Sequence, residues 1–344
     1  MRYNHVMTTG ERKMTAPNRR LSVAPMMGWT DRHCRHLHHH VAPDALLFTE
    51  MVTADAVIHG DRDWLLGQPP EHVDAAVPVV LQLGGNDPAR LAEASRIAND
   101  YGYAEVNLNV GCPSDRVQSG RFGACLMAEP ALVAECVSAM AGATSLPVTV
   151  KCRIGIDDMD EESGLDSFID AIHGAGIMTV YLHARKAWLQ GLSPKENRDI
   201  PPLKYDRAVR LAAARPDMQV ILNGGLDNAR ATLEQLPSFA GVMIGRAAYR
   251  TPMLLADLAA PVFGRKVPAR LQIAGAMAYY ADRRTAEGVP LHAIPRHMLG
   301  LYHGQRGARL WRRHLGEEAR NRRDGGVLIR EVAAACEGMA ARLA

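Results

Sequence analysis

The chain has 344 residues, 47% hydrophobic and 22% charged, a globular balance that excludes a disordered chain. It has no uninterrupted apolar run of the roughly 18 residues that a membrane-crossing helix needs, and residues 1–20 are polar and basic, without the apolar stretch of a secretory leader. Six cysteines (34, 112, 125, 136, 152 and 336) form no CxxC pair, which suits a reducing cytoplasm and argues against a zinc ribbon.

The length predicts two domains, or one large barrel with an appendage. After residues 1–20, read as a flexible extension, short β-branched or apolar runs predict strands at Leu21–Pro25, Ala45–Thr49, Val79–Leu83, Glu105–Asn109, Val148–Arg153, Thr179–His183, Gln219–Asn223 and Gly241–Gly245. Stretches of helical period lie between most of them, such as Ala89–Tyr101 after the start signal Asn86-Asp87-Pro88. Strands alternating with helices mean parallel βαβ units, and eight of them over residues 21–250 predict a (β/α)8 TIM barrel. A doubly wound open sheet is the competing fold, but no GxGxxG turn follows the first strand, and no P-loop or HExxH motif occurs. Residues 251–268, with Pro252, Pro261 and Pro268, read as a linker around a short helix. Residues 269–344 give helical patterns only, predicting a small all-helical C-terminal domain.

Net charge is only +3, yet eight arginines (296, 306, 309, 312, 313, 320, 322 and 323) face two acids between positions 296 and 323. A basic tail on a slightly acidic body predicts a localised anionic partner such as nucleic acid.

Barrels of this type carry their chemistry at the C-terminal strand ends and the loops beyond them. Those ends read Pro25-Met26-Met27, Gln82, Asn109 followed by Gly111-Cys112-Pro113, Lys151, His183, Asn223-Gly224-Gly225 and Gly245-Arg246. The last two sit after strands seven and eight, where barrels bind phosphate, so glycine backbone, helix N-termini and Arg246 predict a phosphorylated ligand. Lys151, His183 and Gln82 have the donors to hold the electron-rich edge of a ring such as a reduced flavin. Met26 and Met27 fit either a flat cofactor or core packing. Cys112 lies just past strand four, and an ordinary thiol, with a pKa of about 8.5, keeps its proton at neutral pH and can act as a proton donor. The run His33, His36, His38, His39, His40 lacks a completing ligand set and reads as a polar surface helix with no metal.

These segments resemble one family. Val23–Asp31, Asn107–Ser114, Val150–Gly155, His183-Ala184-Arg185 and Asn223-Gly224-Gly225 are similar to the tRNA-dihydrouridine synthases. Gly191–Arg198 and His297–Leu301 resemble its bacterial DusA branch, and the likeness runs through about residues 21–325. The resemblance implies an FMN-binding barrel, a C-terminal tRNA-binding domain, and NADPH-dependent reduction of uridines 20 and 20a in the tRNA D-loop. It further implies FMN contacts at Pro25, Met26, Met27, Gln82, Lys151, His183, Asn223, Gly224, Gly225, Gly245 and Arg246, with Cys112 as proton donor. Asn109, Lys195, Arg198, Arg309 and Arg312 correspond to tRNA contacts. The expected protein is a cytoplasmic monomer without a metal. Two other readings remain: an FMN barrel acting on a small molecule in the manner of dihydroorotate dehydrogenase, which leaves the basic tail unexplained, and a non-catalytic RNA-binding protein.

Overall fold

Eight apolar runs become eight parallel strands that close on themselves in a computed structural model describing residues 17–68, 77–322 and 324–341. They are β1 (Leu21–Val23), β2 (Leu46–Thr53), β3 (Val79–Gly84), β4 (Glu105–Val110), β5 (Val148–Arg153), β6 (Thr179–His183), β7 (Gln219–Asn223) and β8 (Gly241–Ile244). Each pairs with its neighbour in sequence, and β1 pairs with β8, so the sheet has no edge. The fold is the expected TIM barrel. Residues 1–16, most of the expected extension, and Arg323 lie outside the described residues, as do residues 342–344.

Side-chain alternation makes two apolar layers. Inward residues such as Leu46, Phe48, Val80 and Ile221 fill the barrel, while Leu47, Val79 and Leu81 join the outer core beneath the helices. The one sizeable boundary difference is β2, which runs four residues past its expected end. A bulge between Phe48 and Met51 shifts the register there, and the Thr49 hydroxyl accepts the Gln82 N–H at 3.0 Å. Pairing then resumes as far as Thr53–Gly84.

Met253–Phe263 is an eleven-residue helix, not a free connector. Its apolar face, including Leu254, Leu255 and Leu258, is buried against helix Arg32–Val41 and β1. Pro261 lies inside this helix and forgoes the one bond that an N–H there would make to the Asp257 carbonyl. The remaining helices, Arg270–Ala286, Ala308–Glu317 and Gly325–Ala341, follow the helical periods of the tail. Among the described residues no helix is long and apolar enough to cross a membrane.

The tail docks on helix Arg32–Val41, which corrects the reading of that histidine-rich segment as a surface helix. His33, His36 and His38 are buried. The His33 ring bonds the Tyr280 hydroxyl at 2.8 Å, and the His36 ring stacks on Tyr280 at 3.9 Å. Burial lowers His33 and His38 to about 4, so both rings stay neutral near pH 7. Imidazole can bury its ring and satisfy its nitrogens at once, which a polarity pattern does not reveal. Asp31 holds the junction together. It caps the helix through the N–H groups of His33 and Cys34 at 2.9 and 3.0 Å and binds Arg296 and His297 of the tail at 2.7 and 3.0 Å. Asp31→Ala therefore removes a cap and a part-buried ion pair together, an expected loss of about 2–4 kcal/mol in denaturant unfolding.

Candidate functional site

A cavity of ≈ 1570 Å³ opens at the C-terminal end of the strands. It gathers every residue expected at the cofactor: Pro25, Met26 and Met27 after β1, Gln82 on β3, Lys151 on β5 and His183 on β6. Asn223, Gly224 and Gly225 after β7, and Gly245 and Arg246 after β8, complete the set. Asn109, Cys112, Lys195 and Arg198 line the same cavity. Met27 is 66% exposed, which removes core packing as its role.

The β7 corner is built so that the backbone itself forms the wall. Gly224 and Gly225 have φ of +108° and +67°, conformations that disfavour side chains. A Cβ at Gly224 would sit 2.5 Å from the His183 ring, and one at Gly225 would sit 2.3 Å from Leu203. At Gly245, by contrast, nothing lies within 4 Å of that position. Arg246 closes the corner with a two-point ion pair to Asp199 at 2.6 and 3.1 Å.

Lys151 donates to Asn223 Oδ1 at 3.0 Å, and Asn223 donates in turn to the Met243 carbonyl at 2.8 Å. The amide of Asn223 is thereby fixed with its oxygen toward the ammonium. Burial, reinforced by the Arg153 charge, lowers Lys151 to about 7. Burial first, then Arg153, Lys151, Arg185 and Arg198, drives His183 well below its ordinary range, leaving a neutral ring. A floor of mutually destabilised cations, beside glycine backbone and a neutral imidazole, has the donor chemistry for an anionic, phosphorylated ring ligand. FMN fits that description.

Cys112 follows β4 on a loop held by main-chain contacts. Its N–H and that of Gly111 bond Asn109 Oδ1 at 3.0 and 3.1 Å, and its carbonyl accepts the Ala124 N–H at 2.9 Å. The thiol contacts the Ser114 hydroxyl at 3.5 Å. Two supporting residues carry no role in the sequence reading. Arg153, buried, donates to the carbonyls of Gly111, Lys186 and Asn197 at 2.9, 2.8 and 2.9 Å. It thus ties the Cys112 loop to the loop bearing Lys195 and Arg198. Asn197, fully buried, staples that second loop through Trp188 and Leu192. An inward arginine two residues beyond an inward lysine on β5 is the signal that could have found Arg153. Nothing local distinguishes Asn197 from a surface asparagine.

Arg309 and Arg312 do not line the cavity. They lie one turn apart on the exposed face of Ala308–Glu317, whose other face buries Trp311 and Leu315. The basic patch is also smaller than its charge count. Arg296 pairs with Asp31, and Arg322 pairs with Asp324 and Glu331. Arg306, Arg309, Arg312, Arg313 and Arg320 remain exposed. Phosphate contacts release counterions, so if Arg309 and Arg312 contact tRNA, as the family resemblance implies, Arg309→Ala and Arg312→Ala should each lower the slope of log tRNA affinity against log salt by about 1. An unchanged slope in a salt titration would move the interface off this helix.

The chain matches the dihydrouridine synthase family model across residues 22–336. It is 53% identical over 330 residues to the tRNA-dihydrouridine(20/20a) synthase of Xanthomonas campestris pv. campestris, covering 96% of this chain and 97% of that relative. The enzyme of the same name from Xylella fastidiosa (strain Temecula1) is 50% identical over 320 residues, 93% of this chain and 95% of the relative. That from Vibrio cholerae is 50% identical over 303 residues, 87% and 91% of the two chains. With the likeness running from the first strand into the last helix, the chain belongs to the dihydrouridine synthase family.

Proposed function

We propose that this protein reduces uridine to 5,6-dihydrouridine at positions 20 and 20a of the tRNA D-loop, in the cytoplasm, with FMN as cofactor and NADPH as reductant. The observation that carries the reading is a thiol and a cationic, glycine-walled floor lining one cavity: Cys112 together with Lys151, His183 and Gly224-Gly225. Lys151, Gln82 and His183 would hold the ring of FMN, and Arg246 with the Gly224, Gly225 and Gly245 backbone its phosphate, while Pro25, Met26 and Met27 supply apolar wall. The flavin, when bound, supplies the hydride for C6 of the uracil, drawn in turn from NADPH.

The chain's own residues do the rest. Cys112 gives its proton to C5, so the carbon gains hydrogen as the C5–C6 double bond is lost. Arg153 holds the loop that carries Cys112 by donating to the Gly111 carbonyl at 2.9 Å. Asn109 and Arg198 line the cavity where the base must lie, and the base reaches it by leaving its stack, at a cost of a few kcal/mol that is lowest for a loop nucleotide. Lys195 and the exposed arginines of Ala308–Glu317 grip phosphates, setting position while the cavity reads the base.

The small-molecule reading is not favoured. Relatives about half identical along nearly the whole chain, helical tail included, carry a tRNA enzyme's name, and a metabolite reductase has no use for an arginine-studded tail. The direct test is nucleoside analysis of tRNA from a strain lacking the gene, before and after treatment with the purified protein, FMN and NADPH. Dihydrouridine at 20 and 20a should appear only after treatment; treated tRNA still carrying uridine there would reject the proposal.

A further inference from the structure

Barrel interiors are packed with apolar side chains, yet here a line of polar groups crosses the interior from floor to rim. Glu105, at the start of β4 and fully buried, takes Arg19 on one carboxylate oxygen, at 2.8 Å from Nε and 2.6 Å from Nη2. Its other oxygen accepts from the Thr149 hydroxyl at 2.6 Å and the Tyr181 hydroxyl at 3.1 Å. Two residues along the same strand face, Asn107 donates to Thr149 Oγ1 at 2.9 Å and accepts from Gln82 Nε2 at 2.8 Å. Gln82 Oε1 accepts from Asn109 Nδ2 at 2.8 Å, and Asn109 Oδ1 accepts the N–H groups of Gly111 and Cys112. Register explains the line, since Asn107 sits directly beside Gln82 on β3 and Thr149 on β5.

Every middle member of this line can turn either way, whereas the ends cannot. Glu105 is surrounded by donors and can only accept. Thr149 has one proton and gives it to Glu105, so it must accept from Asn107. Asn107 then turns its oxygen to Gln82, and Gln82 its oxygen to Asn109, which leaves the Asn109 oxygen for the Cys112 loop. Read from the other end, main-chain N–H groups can only donate, and the same order results. No flipped arrangement satisfies all members, and a buried flip strands a donor or an acceptor.

We propose that Thr149 and Asn107 are positioning residues for the reaction: from outside the cavity they fix which way the Gln82 amide faces the flavin and hold Asn109 in the sense that grips the Cys112 loop. The flavin half of this inference rests on the function proposed above; the loop half does not.

Thr149→Val keeps the shape and removes the hydroxyl, and Thr149→Ser restores it. In the flavin-free protein, hydrogen exchange in peptides covering Gly111 and Cys112 should be about tenfold faster with Thr149→Val, the scale of one lost buried hydrogen bond, and native with Thr149→Ser. FMN dissociation constants should rise about tenfold in the same variant, with a shifted visible flavin band, and again return with serine. If Thr149→Val does not fold, Asn107→Asp replaces it: two carboxylates then compete for the single Thr149 proton, and the same changes are expected. A variant that merely melts earlier, with native exchange, FMN affinity and flavin band, overturns the inference. Wild-type protein that fails to bind FMN sinks the flavin reading, and with it the Gln82 half of the inference. Native exchange in the variant sinks the loop half whatever the flavin does.

Discussion

Replacing Cys112 with alanine is expected to slow dihydrouridine formation by about 10²–10⁴-fold, the usual worth of a positioned general acid, and to leave FMN binding unchanged. The two effects separate because the sulfur holds up nothing. The loop around it is fastened by main-chain atoms, through Asn109 Oδ1, the Ala124 N–H and the Arg153 bond to the Gly111 carbonyl. Among the described residues, the thiol itself makes its hydrogen-bond contact with the Ser114 hydroxyl, within the same loop. An alanine there should give a folded, yellow, tRNA-binding protein whose reduced flavin persists when tRNA is added. Single-turnover oxidation of the reduced enzyme by tRNA measures this directly. Turnover at the native rate would remove Cys112 from the chemistry and return attention to Ser114 or solvent as proton source.

Lys151→Met is expected to weaken FMN binding by about ten- to a hundredfold, the worth of a charge-assisted hydrogen bond in a buried site. It should also abolish a pH dependence that the native protein displays. In the free protein Lys151 is lowered to about 7 by burial and by Arg153. An anionic ligand beside it raises that value again, so above pH 7 the complex holds a proton that the free protein has lost. Binding then takes up a proton, and affinity falls as pH rises from about 7 toward the bound-state value, by at most about tenfold per unit. Below pH 7 the lysine is charged in both states and the curve is flat. Titration calorimetry in buffers of different ionisation enthalpy reads the proton uptake, and a native protein that takes up none would place Lys151 away from the ligand's charge.

The lining of the cavity was legible because a parallel barrel gathers the residues at its C-terminal strand ends around one opening. Lys151, His183, Asn223 and Gly245 could be read there one strand at a time, since a five-residue apolar run shows its own ends. Cys112 and the glycine pair were legible for the same reason. The supporting residues were not. Glu105, Asn107 and Asn109 alternate on β4 as three inward polar groups, a pattern visible in the sequence, but its meaning depends on Thr149 and Gln82, 42 and 25 residues from Asn107 along the chain. Arg153 acts through carbonyls of distant loops and Asn197 through main-chain groups of its own loop, and main-chain groups leave no mark in a sequence.

By itself, then, the order of residues determined the strand count, the barrel, the helical tail and the list of groups at the rim, because local period and strand-end chemistry are short-range properties. The tertiary structure alone decided three things. The histidine helix became the seat of the tail, Arg296 and Arg322 left the basic patch for acidic partners, and the buried amides took one orientation. Each depends on which side chains meet across the fold: a hydrogen bond or ion pair has a sign and a direction, and both come from the partner.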